Sequence, residues 1–502
     1  MANAALADYL EDLAGCGQLA RITAEVDSAL EIAEITRRVA RQNGPALLFE
    51  QVRGRAFAVV TNLLGSETRV CRALEIDSID AIPSRLNSLI DEHTPRNWFE
   101  RLRASDDPTG ADRFRPKVVK SGLSQQVVCL GRDVDLDTLP LVTQGPSEAA
   151  PALPAARIVT HPLTAEHHRA SVCRVEATGI NRLAVTDGRQ TEFWQHWEAY
   201  RQAGQQMPVA IVVGGDPAGT VAANMEPPAE VDHYHLTGLL RGKPVELVKC
   251  RTHELFVPAD ADVVLEGYLD PASENGDAAN GTSHNGMPRE QGAAAIHVSA
   301  ITHRAHPLVP LVIDAQEFGE ARVLLKVRER VLLPALQTIA PGVVDVHLPT
   351  LGGLHHYAFV AVRKTYPHQA RQVASALWGS AALRSTKFLV LVDGDTDVRN
   401  VQAVLSAMGT SADPACDLFF YDGPASSTSA YDAPGALARH CGIDATTKIP
   451  GEPGAAAGGH AEVSANPTVA ETARPASDGP IEQRVAQRWS EYGLSATWAD
   501  PL

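Results

Sequence analysis

Aromatic residues are scarce in this chain: Phe, Tyr and Trp together make up 5% of its 502 residues. Cysteine is scarcer still, with seven residues (Cys16, Cys71, Cys129, Cys173, Cys250, Cys416 and Cys441), odd in number and without a CxxC pair. That excludes a disulfide framework or a paired-cysteine zinc fold and fits reduced thiols. No stretch approaches the roughly 18 uninterrupted apolar residues of a membrane span. The opening MANAALADYLEDLAG carries acids early and lacks an apolar core, so no secretory signal is expected and a cytoplasmic location is. Positive charge is in deficit: 44 Lys+Arg against 60 Asp+Glu leave a net charge of −16. Such a chain repels phosphate backbones and anionic bilayers, which argues against nucleic-acid or membrane partners. GxGxxG after a strand, GxxxxGK[ST], GxSxG and HExxH are also missing, so dinucleotide, P-loop, serine-hydrolase and zinc-protease readings lack support.

What is present is a globular mix, 44% apolar and 21% charged. At about 100–200 residues per domain this length suggests two to four domains. Residues 4–14 and 30–42 read as amphipathic helices, and ALLFEQV and AFAVVTNLL as strands, giving an N-terminal α/β domain over 1–110. RASDDPTGADRFRP reads as a linker. Between 111 and 318 short β-rich runs recur between turns (QQVVCL, RIVTHPL, SVCRVEAT, VAIVVGG, VELVKC, ADVVLEGYL, AIHVSAITH). That pattern predicts a barrel or sandwich, interrupted by one helix around 191–204. Residues 319–452 return to α/β, with the buried strand KFLVLVDGD ending in acids, as strand ends beside ligand sites often do. The low-complexity stretch 453–480 is expected to be disordered. A docking helix follows over 481–494, with Ile481, Val485, Trp489 and Tyr492 near one face; it can seat on a second subunit or on its own domain. Histidines cluster at His167-His168, His233-x-His235 and His355-His356; on composition alone each reads as surface or structural before it reads as a metal ligand.

Longer motifs are more specific. GLLRGKPVELVKCRTHELFVPADADVVLEGYLDP at 238–271 resembles the UbiD family. RxxxxGxNRL at 174–183, VGGDPA at 213–218, HVSAITHR at 297–304, STKFLVLVDGDTDVRN at 385–400, DPACD at 413–417 and GIDATTKIPGE at 442–452 agree in order. The resemblance spans nearly the whole chain to Glu452. It implies an N-terminal α/β domain, a central split β-barrel that binds flavin, a C-terminal α/β domain with a terminal helix, and a homodimer or higher assembly. It implies prenylated FMN, made by a flavin prenyltransferase, with Mn²⁺ and K⁺ at the phosphate. The reaction implied is reversible, non-oxidative decarboxylation of an aromatic or α,β-unsaturated carboxylic acid.

Loss of CO₂ leaves charge on carbon, which needs an electron sink, a cation for the carboxylate and a proton donor. The family meets this with an Arg and two acids. Arg174 stands at the family Arg position, Thr160 and Lys387 at positions that contact the cofactor phosphate, and Val172 and Cys173 along the flavin. The acid segment reads DAANGTSHNG, so Asp277 replaces the first family Glu and Thr282 the second carboxylate. A threonine hydroxyl cannot act as that acid; Asp277 is the expected donor, with Glu274, Glu290 or His284 as substitutes. The family metal Asn becomes Arg169, its His falls near Glu192, and its Glu on His233, leaving Glu192 and His233 as the expected Mn²⁺ ligands. Two function classes stay open: a divergent decarboxylase, and a catalytically degenerate relative serving as a flavin-binding or structural subunit.

Overall fold

A computed structural model describes residues 5–89, 113–146, 148, 150–186, 191–225, 227, 231–271, 294–314, 318–351, 356–380, 382–424, 437–453 and 479–493. In the N-terminal unit, α1 (Leu6–Gly15), β1 (Leu19–Ile22), α2 (Glu31–Arg41), β2 (Ala46–Phe49), β3 (Ala58–Thr61), α3 (Glu67–Leu74) and α4 (Ile82–Leu89) follow one another. The central unit holds β4 (Lys117–Val118), β5 (Val127–Leu130), β6 (Ala152–Thr160), β7 (Arg169–Gly179), β8 (Arg182–Val185), α5 (Glu192–Gln202) and β9 (Met207–Val213). It continues through α6 (Pro217–Ala223), α7 (His233–Arg241), β10 (Glu246–Lys249), β11 (Phe256–Pro258), β12 (Val263–Leu269), β13 (Ala294–His303) and β14 (Leu308–Leu311). The C-terminal unit is α8 (Glu320–Ile339), β15 (Val343–His347), β16 (Tyr357–Val362), α9 (Gln369–Trp378), β17 (Phe388–Asp393), α10 (Val401–Ser411), β18 (Leu418–Pro424) and β19 (Leu437–Asp444), with α11 (Gly479–Gln487) at the end.

The expected barrel is present. Strands β12-β9-β6-β7-β8-β13 are antiparallel neighbours, and β12 pairs back onto β13 to close the ring, with β5 added on β13. Closure leaves no bare edge on those six strands. Pro154 lies inside β6, where it is tolerated because the register shifts between Leu153 and Ala156. The run after β9 is local chemistry: Gly214 and Gly215 take positive φ, Asp216 caps α6 by accepting from the Ala218 N–H, and Pro217 starts the helix.

Three features depart from the linear reading. The central region holds α6 and α7 in addition to the one expected helix. α7 is bounded by Asp232, which accepts from Tyr234 and His235 N–H groups, and by Gly242 in the left-handed conformation. Its sequence is buried nearly all round, so it carries no polar stripe. β14 pairs in parallel with β3, so the chain returns to complete the N-terminal sheet β1-β2-β3-β14 before entering α8. The terminal segment forms α11 and a 3₁₀ turn over Trp489–Tyr492 rather than one continuous helix. It lies on its own chain: Ile481, Val485, Trp489 and Tyr492 join the core with α2, and the Tyr492 hydroxyl donates to Glu31 at 2.5 Å.

Helix α8 joins the units. Val323, Val327 and Val331 enter the N-terminal core, while Leu325, Leu332 and Leu336 enter the C-terminal core beneath the sheet β15-β16-β17-β19-β18. All seven cysteines are free thiols. The linker and low-complexity expectations fall largely outside the described residues, over 90–112 and 454–478.

Candidate active site

Residues of β7 alternate between two faces of the barrel wall. Arg169 heads the strand and is 1% exposed. Antiparallel pairing sets Thr160, the last residue of β6, directly opposite. The guanidinium meets Glu192, in the first turn of α5, fork to fork: Nε donates to Oε2 at 2.7 Å and Nη2 to Oε1 at 2.5 Å. Nη2 also donates to the Pro227 carbonyl at 2.9 Å, and Nη1 to the Val231 carbonyl. A buried cation needs such partners, since desolvating it alone costs several kcal/mol. A planar guanidinium matches a carboxylate in a way that an ammonium does not, and the helix N-terminus favours the Glu192 charge.

Two imidazoles flank this pair. His196, one helical turn beyond Glu192, lies 2.8 Å from the Thr160 hydroxyl through Nδ1. Burial, and then the Arg169 charge, pull its pKa down to about 4. His233 opens α7 and is 2% exposed, and neither ring nitrogen has a hydrogen-bond partner among the described residues. Burial and the Arg169 charge lower its pKa to about 3. It borders an internal cavity of about 30 Å³, room for a water or two. Thr160, Glu192, His196 and His233 thus surround one guanidinium.

That arrangement does not fit a divalent metal. An ion held by Glu192 and His233 would share the carboxylate with Arg169. Like unit charges roughly 4 Å apart repel by about 4 kcal/mol at the effective dielectric of a protein surface, and a divalent ion doubles this. Elsewhere among the described residues, ligand atoms of Cys250, His253 and Glu266 lie within 4.8 Å of one another. Glu266 is already engaged, accepting from the Arg251 N–H at 2.9 Å and from the Thr252 N–H and hydroxyl at 2.8 and 2.9 Å. Burial also pushes the Cys250 thiol well up, against a thiolate ligand.

Further along β7, Arg174 is buried between two carboxylates. Its Nε lies 3.1 Å from Glu176 Oε1 and its Nη2 3.0 Å from Glu148 Oε2. Glu148 Oε2 also accepts from the Gln144 N–H at 2.8 Å, while its Oε1 is buried without a hydrogen-bond partner among the described residues. A substrate carboxylate that joins Arg174 meets two glutamates that the described residues already place against its guanidinium. Val172 lines a cavity of about 220 Å³ with Pro154, Val212 and Leu311, and Cys173 packs in the core, its Sγ 3.8 Å from the Thr191 hydroxyl.

The structure therefore gathers Thr160, Glu192 and His233 around Arg169, and sets Arg174 on the same strand. Lys387 stands just before β17 in the C-terminal sheet; burial, and then the Lys387 charge, lower the pKa of His356. Asp277, Thr282, Glu274, Glu290 and His284 lie outside the described residues. Linear reading missed His196, Glu148 and Glu176. The spacing of His196 from Glu192 is the i, i+4 signal of one helix face, and Arg174 and Glu176 share a strand face at i, i+2. Glu148 carries no local signal.

Comparison with known proteins gives a consistent picture. Three family models match successive stretches, each described as part of 3-octaprenyl-4-hydroxybenzoate carboxy-lyase: its N-terminal domain over 10–86, its Rift-related domain over 117–317 and its C-terminal domain over 322–445. An uncharacterized protein of Aquifex aeolicus is 32% identical over 423 residues, 84% of this chain and 87% of its own length. An uncharacterized protein of Archaeoglobus fulgidus is 31% identical over 465 residues, 89% of this chain and 92% of its own. Among solved structures, the UbiD-class enzyme HmfF from Pelotomaculum thermopropionicum, in complex with FMN, superposes with TM-score 0.72 at 25% identity, covering 89% of this chain and 95% of that one. Sedimentibacter hydroxybenzoicus vanillic acid decarboxylase in its closed form shares the fold with TM-score 0.78 at 23% identity, covering 97% and 99% of the two chains.

Proposed function

We propose that this chain, which belongs to the UbiD family of carboxy-lyases, is a prenylated-FMN-dependent decarboxylase acting reversibly on an aromatic or α,β-unsaturated carboxylic acid. The observation that carries this reading is the convergence of Thr160, Glu192 and His233, drawn from three separate elements, on the buried Arg169 at the head of the strand that also bears Arg174. Such a cluster presents a cation and hydrogen-bonding groups suited to a flavin phosphate.

When bound, the flavin supplies the electron sink for the charge left by departing CO₂. Arg174 anchors the substrate carboxylate after displacing one of its two glutamate partners. A carboxylic acid then returns the proton, and we assign this to Asp277, or to another acid of residues 272–292. Lys387 joins the phosphate from the C-terminal unit. The same reading carries a flavin prenyltransferase as supplier, a homodimer or higher assembly, and cytoplasmic placement.

Co-expression with a flavin prenyltransferase tests it. The purified protein is expected to carry a flavin with the absorbance and mass of the prenylated form. It should also decarboxylate, or exchange H for D at the product carbon of, at least one member of a panel of aryl and enoic acids. Protein that never carries flavin would overturn the reading.

A further inference from the structure

We propose that the Arg169 guanidinium is the fixed cation of the phosphate site, so that this chain holds its flavin without a divalent metal. This rests on the flavin reading above. It goes further by making the site's positive charge part of the covalent chain.

The geometry is that of a built cation site. Arg169 is 1% exposed, and its surroundings are acceptors: both oxygens of Glu192 at 2.7 and 2.5 Å, the Pro227 carbonyl at 2.9 Å, and the Val231 carbonyl. A carboxylate and two backbone carbonyls are hard oxygen donors, the kind that otherwise cradle a metal ion. Here they are turned on a guanidinium that cannot leave. Glu192 is held by two charge-assisted hydrogen bonds, so a metal could take it only by breaking them and then sitting beside the displaced cation. His233 faces the same group, but its open side is a cavity of about 30 Å³ that a water can fill. The phosphate side is supplied by Thr160, opposite Arg169 in register and 2.8 Å from His196.

A tethered cation has consequences that a bound ion lacks. It cannot be chelated, exchanged or lost on dilution, and it carries one charge where Mn²⁺ carries two. Replacing Arg169 by Asn should remove the resident cation, release Glu192, and open the space beside His233 to an ion.

The test uses the full chain. Mn²⁺ is titrated into flavin-free protein, with the free ion followed by electron paramagnetic resonance. In parallel, protein loaded by co-expression is assayed for metal and flavin before and after dialysis against EDTA. Wild type is expected to bind no stoichiometric Mn²⁺ and to keep its flavin through EDTA. Arg169→Asn is expected to bind Mn²⁺ at least about tenfold more tightly, the scale on which the surroundings of a site tune metal affinity. It should also lose flavin to EDTA. Arg169→Lys, which keeps the charge if the Asn variant fails to fold, should remain indifferent to EDTA. Stoichiometric Mn²⁺ in wild type, or EDTA-sensitive flavin, overturns the proposal while leaving the flavin reading intact. Flavin retained by Arg169→Asn but never by wild type also overturns it, making Arg169 a plug. Flavin in none of the three proteins overturns the functional reading and the proposal's phosphate role, whereas the Mn²⁺ titration still reads the metal claim separately.

Discussion

The guanidinium of Arg174 lies 3.0 Å from the carboxylate of Glu148, a residue of the segment that leads into the barrel. Both side chains are buried, and Glu176 holds the other edge of the same guanidinium at 3.1 Å. Among the described residues, Arg174 is thus held by two glutamates from outside the 272–292 segment. Glu148→Gln should remove one of the two anions that the described residues place against Arg174. Stability should fall by about 1–3 kcal/mol, as the charge that faces Arg174 and accepts the Gln144 N–H is lost. Affinity for a simple aryl carboxylate should rise because a competitor is gone. Denaturant unfolding and calorimetric titration with benzoate read the two effects, and no change in either would remove Glu148 from the substrate's reach.

Arg174→Ala should abolish turnover of cofactor-loaded protein, because no other cation on the described part of β7's face replaces it. Asp277→Asn keeps shape and removes the acid, and should slow turnover by about 10²–10⁴-fold. H/D exchange at the product carbon measures both. An unchanged rate in Asp277→Asn moves the donor to Glu274, Glu290 or Glu148.

Glu320, in the first turn of α8, is fully buried and accepts the Leu64 N–H at 2.6 Å. Burial raises its pKa to about 7, against the lowering effects of that hydrogen bond and of Arg69. The folded state therefore binds this proton more tightly than the unfolded chain does. The resulting stability is fully present below about pH 4.5 and is lost as pH rises through about 7. Glu320→Gln should stabilise the protein by about 2–3 kcal/mol near pH 8 and by little near pH 5. Unfolding midpoints at the two pH values check the sign; equal shifts at both would contradict it.

Trp489 packs in the core with the Arg38 guanidinium 5.8 Å from its ring centroid, next to the Arg488–Glu31 pair at 2.5 Å. Trp489→Ala should cost about 3–5 kcal/mol. It should also release the terminal segment to limited proteolysis. Wild-type resistance in the variant would mean that this segment takes its anchorage elsewhere, and size-exclusion chromatography of the same samples reports whether a second subunit provides it.

Local patterns determined the elements and their kinds. The alternation in SVCRVEAT, the Gly214-Gly215 turn into an Asp-Pro helix start, and the apolar run of β17 are set by residues within a few positions of one another, so they can be read in line. The resemblance to a family, and not these patterns, placed Arg174, Thr160, Glu192 and His233 among the residues of interest. What they could not supply is which groups touch. Arg169 meets Glu192 because the barrel ring is closed by β12 on β13 and α5 is laid against β7, and Glu148 meets Arg174 because the entering segment crosses that wall. β14 joins β3, and the terminal helix covers α2, for the same reason: the partner is selected by the shape of buried surface, to which distant segments contribute equally. An arginine at the metal asparagine's position reads, in sequence, as a lost ligand and as a charge able to neutralise a phosphate. Only the folded chain turns it into a buried cation with four acceptor contacts among the described residues, because the energy that decides its role lies in desolvation and pairing, and both depend on what the fold brings to it.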